Sequence, residues 1–142
     1  MRVLIKIERN RGFRVAPVSA DGFKELTEAL LTNELPCLRS SIINGDTAWE
    51  LSLVSTYSRA RRTIELVTAG KEDINAYSIE RLGFYTALLS ACDNQWLVWS
   101  WCLLYARTMR YRHMYMSLAG FESEQKDQHE AFVKAVLARD VE

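Results

Sequence analysis

The start of the chain shows the alternating pattern of a β-hairpin. Residues 3–8 and 13–17 place apolar side chains at every second position, which is the period of a strand. Between them, Asn10 and Gly12 supply turn chemistry, and Pro17 marks a strand end because it cannot donate a backbone hydrogen bond. The pattern predicts two antiparallel strands joined by a three-residue loop.

The next pattern is that of a short helix. Apolar residues recur at helical spacing from Phe23 to Leu31, and Asn33 is a suitable C-terminal stop. Pro36 should prevent the helix from continuing. The structure of residues 37–46 is not decided by the pattern. They could form a strand that leads into a tight turn at Asn44–Gly45, or an irregular connection.

Longer helical patterns then follow, at about 48–69, 74–92, 94–118 and from 123 onward. Thr47 and Glu50 have the spacing of a capping box, and Gly70 is a typical helix end. Gly83 suggests a close approach between two helices. Residues 96–106 are apolar on almost every side, which predicts a central helix surrounded by the others.

These patterns predict an α+β fold in one domain that spans residues 1–142. Residues 1–36 form a hairpin and a short helix, and residues 46–142 form a bundle of about four further helices. The length of 142 residues fits one domain, and 49% hydrophobic residues with 25% charged residues is an ordinary globular composition.

Charge, hydropathy and cysteine content indicate which classes of protein the chain does not resemble. Lys and Arg number 18, as do Asp and Glu, so no global charge attracts nucleic acid or a membrane. The densest apolar run, residues 96–106, is about half as long as a membrane span. Its extension back to Ala87 would place Asp93 near the centre of the span, which argues against a transmembrane helix, and the first residues do not resemble a signal peptide. Three cysteines without paired spacing indicate reduced thiols. We therefore expect a cytoplasmic protein.

The strongest candidate surface combines arginine and tyrosine on two helices. The predicted partner-binding residues are Arg59, Arg62, Arg107, Arg110 and Tyr111. Forked guanidinium groups beside aromatic rings suit carboxylates, phosphates and unpaired bases. The alternative is that these arginines pair with the acidic residues of the last helix and only stabilise the bundle. Tryptophans 96, 99 and 101 point in different directions around one helix, so at least one should be exposed.

No motif supports catalysis, a cofactor or a metal. His113 and His129 stand apart from other ligand-type residues at metal-binding spacing, and Cys37 lacks a local signature of a nucleophile. We therefore expect no enzyme, no cofactor and no metal site.

Three functional hypotheses remain, in order of preference. The first is a non-enzymatic protein-interaction module, an adaptor, accessory subunit or small inhibitor that docks on a larger protein. The second is a nucleic-acid-binding subunit that uses the same arginine faces. The third is a helical bundle that binds a small molecule or a metal.

Overall fold

Helices account for most of the chain in the computed structural model, which describes residues 5–8, 12–15, 20–116 and 121–141. The elements are β1 (Ile5–Glu8), β2 (Gly12–Val15), α1 (Ala20–Asn44), α2 (Thr47–Thr68), α3 (Ile74–Leu89), α4 (Gln95–Met116) and α5 (Phe121–Leu137). The two strands pair antiparallel, with Ile5 opposite Val15 and Glu8 opposite Gly12.

The predicted α+β class is wrong, because the domain is helical. The strands are four residues each and form a two-stranded sheet only with each other. Two short strands do not make a β layer that could share a core with helices, whereas α1 to α5 pack on one another.

Helix α1 is the largest departure from the predicted elements. It runs from Ala20 to Asn44 and passes through Pro36, so residues 37–44 are helical rather than strand-like. Pro36 is exposed, so its ring lies on the solvent side of the helix. The buried side of α1 continues to Cys37 and Ser41, which are both fully buried. Burial of this stripe outweighs the helix-breaking tendency of the proline.

Helix α2 begins one residue away from the predicted cap. The Asp46 carboxylate accepts a hydrogen bond from the Trp49 backbone N–H at 2.9 Å, so Asp46 is the N-cap residue. At the other end Gly70 has a φ of 71°, and the N–H of Lys71 donates to the Leu66 carbonyl. This is a Schellman-type end, as the glycine predicts.

The bundle consists of two main helix pairs. α2 packs along α3 and α1 packs along α4, while α1 also touches α3 and α5 contacts both α2 and α4. Large side chains fill the space between them, among which the most deeply buried are Leu53, Leu88, Leu89 and Trp101. The Trp49 indole N–H donates to the Leu88 carbonyl at 3.2 Å and ties α2 to α3.

Helix α4 is not surrounded as predicted. Trp96 is 77% exposed and Trp99 is 59% exposed, whereas Trp101 is 1% exposed. The prediction that at least one of these tryptophans is exposed is confirmed.

The close approach predicted at Gly83 is absent, since a Cβ atom there would meet no atom of the described residues within 4 Å. No helix in the described part of the chain is both long and apolar enough to cross a membrane.

Candidate functional site

Polar and aromatic side chains from four helices meet inside the bundle in a group that we call the inner cluster. Its members are Glu34 of α1, Tyr77, Arg81 and Tyr85 of α3, Trp101, Tyr105, Thr108 and Arg112 of α4, and His129 of α5. Polar groups inside a helical domain need partners, so the contacts within this cluster show what it can bind.

Arg81 is the central cation of the inner cluster. It is 9% exposed, and its guanidinium carbon lies 5.0 Å from the centroid of the Tyr85 ring. One terminal nitrogen donates to the Tyr85 hydroxyl at 3.5 Å, a long hydrogen bond. The Nε atom of Arg81 is buried and has no hydrogen-bond partner among the described residues. The Arg81 guanidinium is therefore only partly satisfied by the described residues.

Glu34 is the carboxylic acid of the cluster, and Trp101 holds it. The Trp101 indole N–H donates to the Glu34 carboxylate at 3.0 Å. Burial raises the pKa of Glu34, while the Trp101 hydrogen bond and the positive charge of Arg81 act in the opposite direction. No oxygen of Glu34 lies within ion-pair distance of Arg81 in the described structure.

Tyr105 and Arg112 extend the cluster along α4. The Tyr105 ring stacks on Trp101, with ring centroids 4.7 Å apart. The guanidinium carbon of Arg112 lies over the Tyr105 ring, 5.1 Å from its centroid. The Arg112 Nε donates to the Thr108 hydroxyl at 3.2 Å. Burial raises the pKa of Tyr105 to about 12, so its hydroxyl keeps its proton at neutral pH. This hydroxyl is buried without a hydrogen-bond partner among the described residues.

His129 of α5 lies within electrostatic range of Arg81. Burial, and secondly the charge of Arg81, lower the pKa of His129 below its ordinary value. The imidazole is therefore neutral at neutral pH. No group of three or more His, Cys, Asp or Glu residues that could hold a metal ion occurs in the part of the chain that the structure describes.

The predicted arginine faces lie on helices that do not pack together as a pair. Arg59 is exposed on α2 and forms an ion pair with Glu80 of α3 at 3.6 Å. Arg62 is also exposed on α2, and Arg110 is exposed on α4. Tyr111 is half-buried and its ring packs on Phe23, with centroids 5.2 Å apart. Arg107 is half-buried on α4. Since α2 packs on α3 and α4 packs on α1, the arginines of α2 and the arginines of α4 belong to different helix pairs.

One arginine of α2, Arg61, forms an ion pair with the last helix. Arg61 lies 3.9 Å from Glu130 of α5 and 3.6 Å from Glu65 of its own helix. All three side chains are at least 41% exposed, so these ion pairs add little to stability. A partner-binding role for Arg59, Arg62, Arg107, Arg110 and Tyr111 remains a prediction.

The sequence interpretation missed the inner cluster. Arg81, Tyr85 and Tyr77 follow one another at four-residue steps along α3, which places them on one helix face. An arginine within that otherwise apolar and aromatic stripe was the available signal. The predicted stripe of α5 is confirmed beside it, with Val133 and Val136 buried in the core.

The fold is thus a helical domain with a cluster of polar and aromatic side chains, the inner cluster, between its helices. The chain belongs to the FCD domain family, whose model matches residues 25–142. This match covers the five helices from within α1 onward and leaves out both strands, which agrees with the correction of the fold class.

Two curated proteins are similar to almost the whole chain. The uncharacterized HTH-type transcriptional regulator BphR of Paraburkholderia xenovorans (strain LB400) is 31% identical over 140 residues, which cover 98% of this chain and 57% of BphR. The HTH-type transcriptional repressor GlaR of Escherichia coli (strain K12) is 23% identical over 141 residues, which cover 96% of this chain and 64% of GlaR. The chain thus spans about three fifths of the length of these relatives. No solved structure matches it significantly.

These comparisons correct the functional ranking. The leading hypothesis, a protein-docking adaptor or inhibitor, is wrong, since the family and both relatives point to transcription regulation. The nucleic-acid alternative agrees better with them, and a larger protein partner has no support. Both relatives are named as transcriptional regulators and not as enzymes.

Proposed function

We propose that this chain is the small-molecule-sensing part of an HTH-type transcriptional regulator. Occupancy of the inner cluster by an effector would alter the packing of the helices that surround it. Membership of the FCD domain family and similarity to two HTH-type regulators support this proposal.

The observation that carries the proposal is the unsatisfied hydrogen-bonding capacity of the inner cluster. Arg81 Nε and the Tyr105 hydroxyl are buried donors without partners among the described residues. A buried donor that lacks a partner costs about 1–3 kcal/mol. A ligand that accepts these hydrogen bonds removes that cost when it binds.

Thermal unfolding in the presence of small molecules tests the sensing role. We expect at least one compound from a panel of sugars, amino acids, nucleosides and organic acids to raise the melting temperature saturably, because a ligand that binds the folded state stabilises it. Tyr105→Phe should weaken this response, and Lys24→Met, which removes an exposed charge of α1, should leave it intact. If no class of compound shifts the melting temperature, the sensing role is contradicted.

Direct contact between DNA and helix α2 is a second candidate. Arg59 is 62% exposed on its side chain, and Arg62 is exposed one turn further on. Phosphate contacts make the logarithm of affinity fall linearly with the logarithm of salt concentration. Fluorescence anisotropy with duplex DNA should show this slope, and Arg59→Glu with Arg62→Glu should abolish binding. Binding that survives both changes would remove α2 from the interface.

A further inference from the structure

The outer face of α4 carries a continuous apolar stripe, which we call the tryptophan stripe: Trp96, Trp99, Leu103 and Ala106. Both tryptophans are largely exposed, Leu103 is 47% exposed, and Ala106 is exposed about one turn further on. The rings of Trp96 and Trp99 contact each other edge to face, with centroids 6.1 Å apart. Single exposed apolar residues are common on protein surfaces, whereas apolar side chains that adjoin one another mark a site of association.

The spacing of the tryptophan stripe is that of a seam between two helices. Its residues recur at steps of three, four and three positions, and Arg110 continues the series after four more. Alternating steps of three and four are the pattern by which one helix packs along another. The opposite face of α4 packs within the bundle, where Trp101 and Tyr105 are buried. The stripe therefore gives α4 a second packing surface, directed away from its own bundle.

The two ends of this face are complementary to each other about Leu103. Trp96 lies seven residues before Leu103 and Arg110 seven residues after it. In the same way, Trp99 and Arg107 lie four residues before and after Leu103. Arg110 is exposed, and Arg107 is half-buried at the edge of the stripe. Because guanidinium groups pack favourably on indole rings, a second α4 helix that runs in the opposite direction supplies the matching surface.

The size of the tryptophan stripe suits the core of a dimer interface. The exposed parts of its large side chains amount to roughly 400 Å² on each copy, since a whole aromatic side chain presents about 150–250 Å². A standard interface buries about 800 Å² on each partner, and a polar rim supplies much of the remainder. Tryptophan and arginine are the residue types that contribute most to binding energy at such interfaces.

We propose that two copies of this chain form a dimer by antiparallel packing of their α4 helices through the tryptophan stripe. Leu103 lies on the twofold axis. Trp96 packs against Arg110 of the partner subunit, and Trp99 packs against Arg107 of the partner subunit. The same surface serves both copies, as a twofold interface requires. This dimer uses the face of α4 opposite to the inner cluster, so it goes beyond the proposed sensing function and does not depend on it.

Sedimentation velocity over a concentration series tests the dimer. The wild type should sediment as a dimer at about 50 µM, since interfaces of standard size have dissociation constants of micromolar or below. Trp99→Glu should raise the dissociation constant at least about thirtyfold, because it places a charge in the interface core of both copies. Leu51→Glu, which changes a comparably exposed leucine of α2, should leave it unchanged. A wild type that stays monomeric, or a dimer that Trp99→Glu does not weaken, would overturn the proposal.

Arg110→Glu provides a second test that removes no apolar surface. The residue is exposed, so the variant should keep the helical circular dichroism of the wild type. Its dissociation constant should rise several-fold, because the cation beside the partner subunit's Trp96 is lost, and Arg110→Lys should have a smaller effect. An Arg110→Glu protein that dimerises like the wild type would overturn the antiparallel arrangement.

Cysteine cross-linking tests the direction of the two helices, in a Cys102→Ser background that removes the exposed native thiol. Leu103→Cys should give a covalent dimer with a short bis-maleimide, because the two copies of this position meet at the axis. Arg110→Cys should not, because its two copies lie about 20 Å apart along an antiparallel pair, at 1.5 Å per residue. Efficient cross-linking at position 110, or none at position 103, would overturn the proposed arrangement.

Discussion

At the scale of single residues, Arg139 shows how one side chain closes the bundle. Its guanidinium donates to the carbonyls of Ile42 and Gly45 at 2.6 and 2.9 Å and to the Glu50 carboxylate at 2.6 Å. It also lies 5.0 Å from the centroid of the Trp49 ring. The end of α5 is thereby attached to the turn between α1 and α2.

The backbone of Arg139 makes a specific prediction possible. Its φ is 61°, a left-handed conformation that costs a non-glycine residue about 1 kcal/mol. Arg139→Ala should lower the free energy of unfolding by about 2 kcal/mol through loss of the charged hydrogen bonds. Arg139→Gly loses the same bonds but relieves the backbone, so it should be about 1 kcal/mol more stable than Arg139→Ala. Urea denaturation measures both, and a glycine variant that is the less stable of the two would contradict this account.

Residue chemistry also limits what the sequence could reveal. The glycine end of α2 and the buried stripe of α5 depend on local spacing, and both were predictable. The inner cluster depends on residues from α1, α3, α4 and α5 that are far apart in the chain. Local patterns cannot show that Arg81 forms no ion pair with an acidic side chain of the described residues, because that property depends on which helices become neighbours.

At the scale of elements, the first two helices show how a local signal can mislead. Pro36 and the Asn44–Gly45 pair suggested a helix stop and a tight hairpin turn. In the structure, Gly45 instead sits in a helix–helix turn where a Cβ atom would overlap the Trp49 ring and lie 2.8 Å from the Ser41 carbonyl oxygen. The spacing of the residues that α1 buries does indicate that the helix continues past Pro36. These residues share one helical face: Leu26, Leu30, Cys37 and Ser41.

The N-terminus of α2 distinguishes the observed cap from the predicted one. Asp46→Ala removes the carboxylate that accepts from the Trp49 N–H, so it should lower the free energy of unfolding by about 1 kcal/mol. Thr47→Ala should change it by less than about 0.5 kcal/mol, because Thr47 is an exposed residue of the first turn. Thermal denaturation of the pair gives the comparison. A larger effect from Thr47→Ala would restore the capping box that the sequence suggested.

At the scale of the whole molecule, the half-buried imidazole of His129 links stability to pH. Its folded-state pKa lies below the ordinary value of 6.5, so the unfolded chain binds the proton more readily. Stability is therefore complete above the unfolded pKa and declines as the pH falls through 6.5 toward the lowered value.

This relation predicts the behaviour of His129→Gln. The variant cannot take up the proton, so its melting temperature should fall less than that of the wild type between about pH 7.5 and about pH 5.5. Glu34 contributes in the opposite direction, since its pKa is raised, but it does so equally in both proteins. Parallel melting curves across this range would show that His129 does not titrate differently on folding.

The tryptophans can show whether an effector binds within the inner cluster. Trp101 is buried there, whereas Trp96 and Trp99 are exposed on the outer side of α4. We would follow the indole N–H signals by two-dimensional NMR while adding a compound from the panel that raises the melting temperature. We expect the Trp101 signal to shift saturably, because its N–H donates to Glu34 within the inner cluster, while the signals of Trp96 and Trp99 stay in place. Saturable shifts of the Trp96 and Trp99 signals with an unchanged Trp101 signal would place binding on the surface and contradict an effector site in the inner cluster.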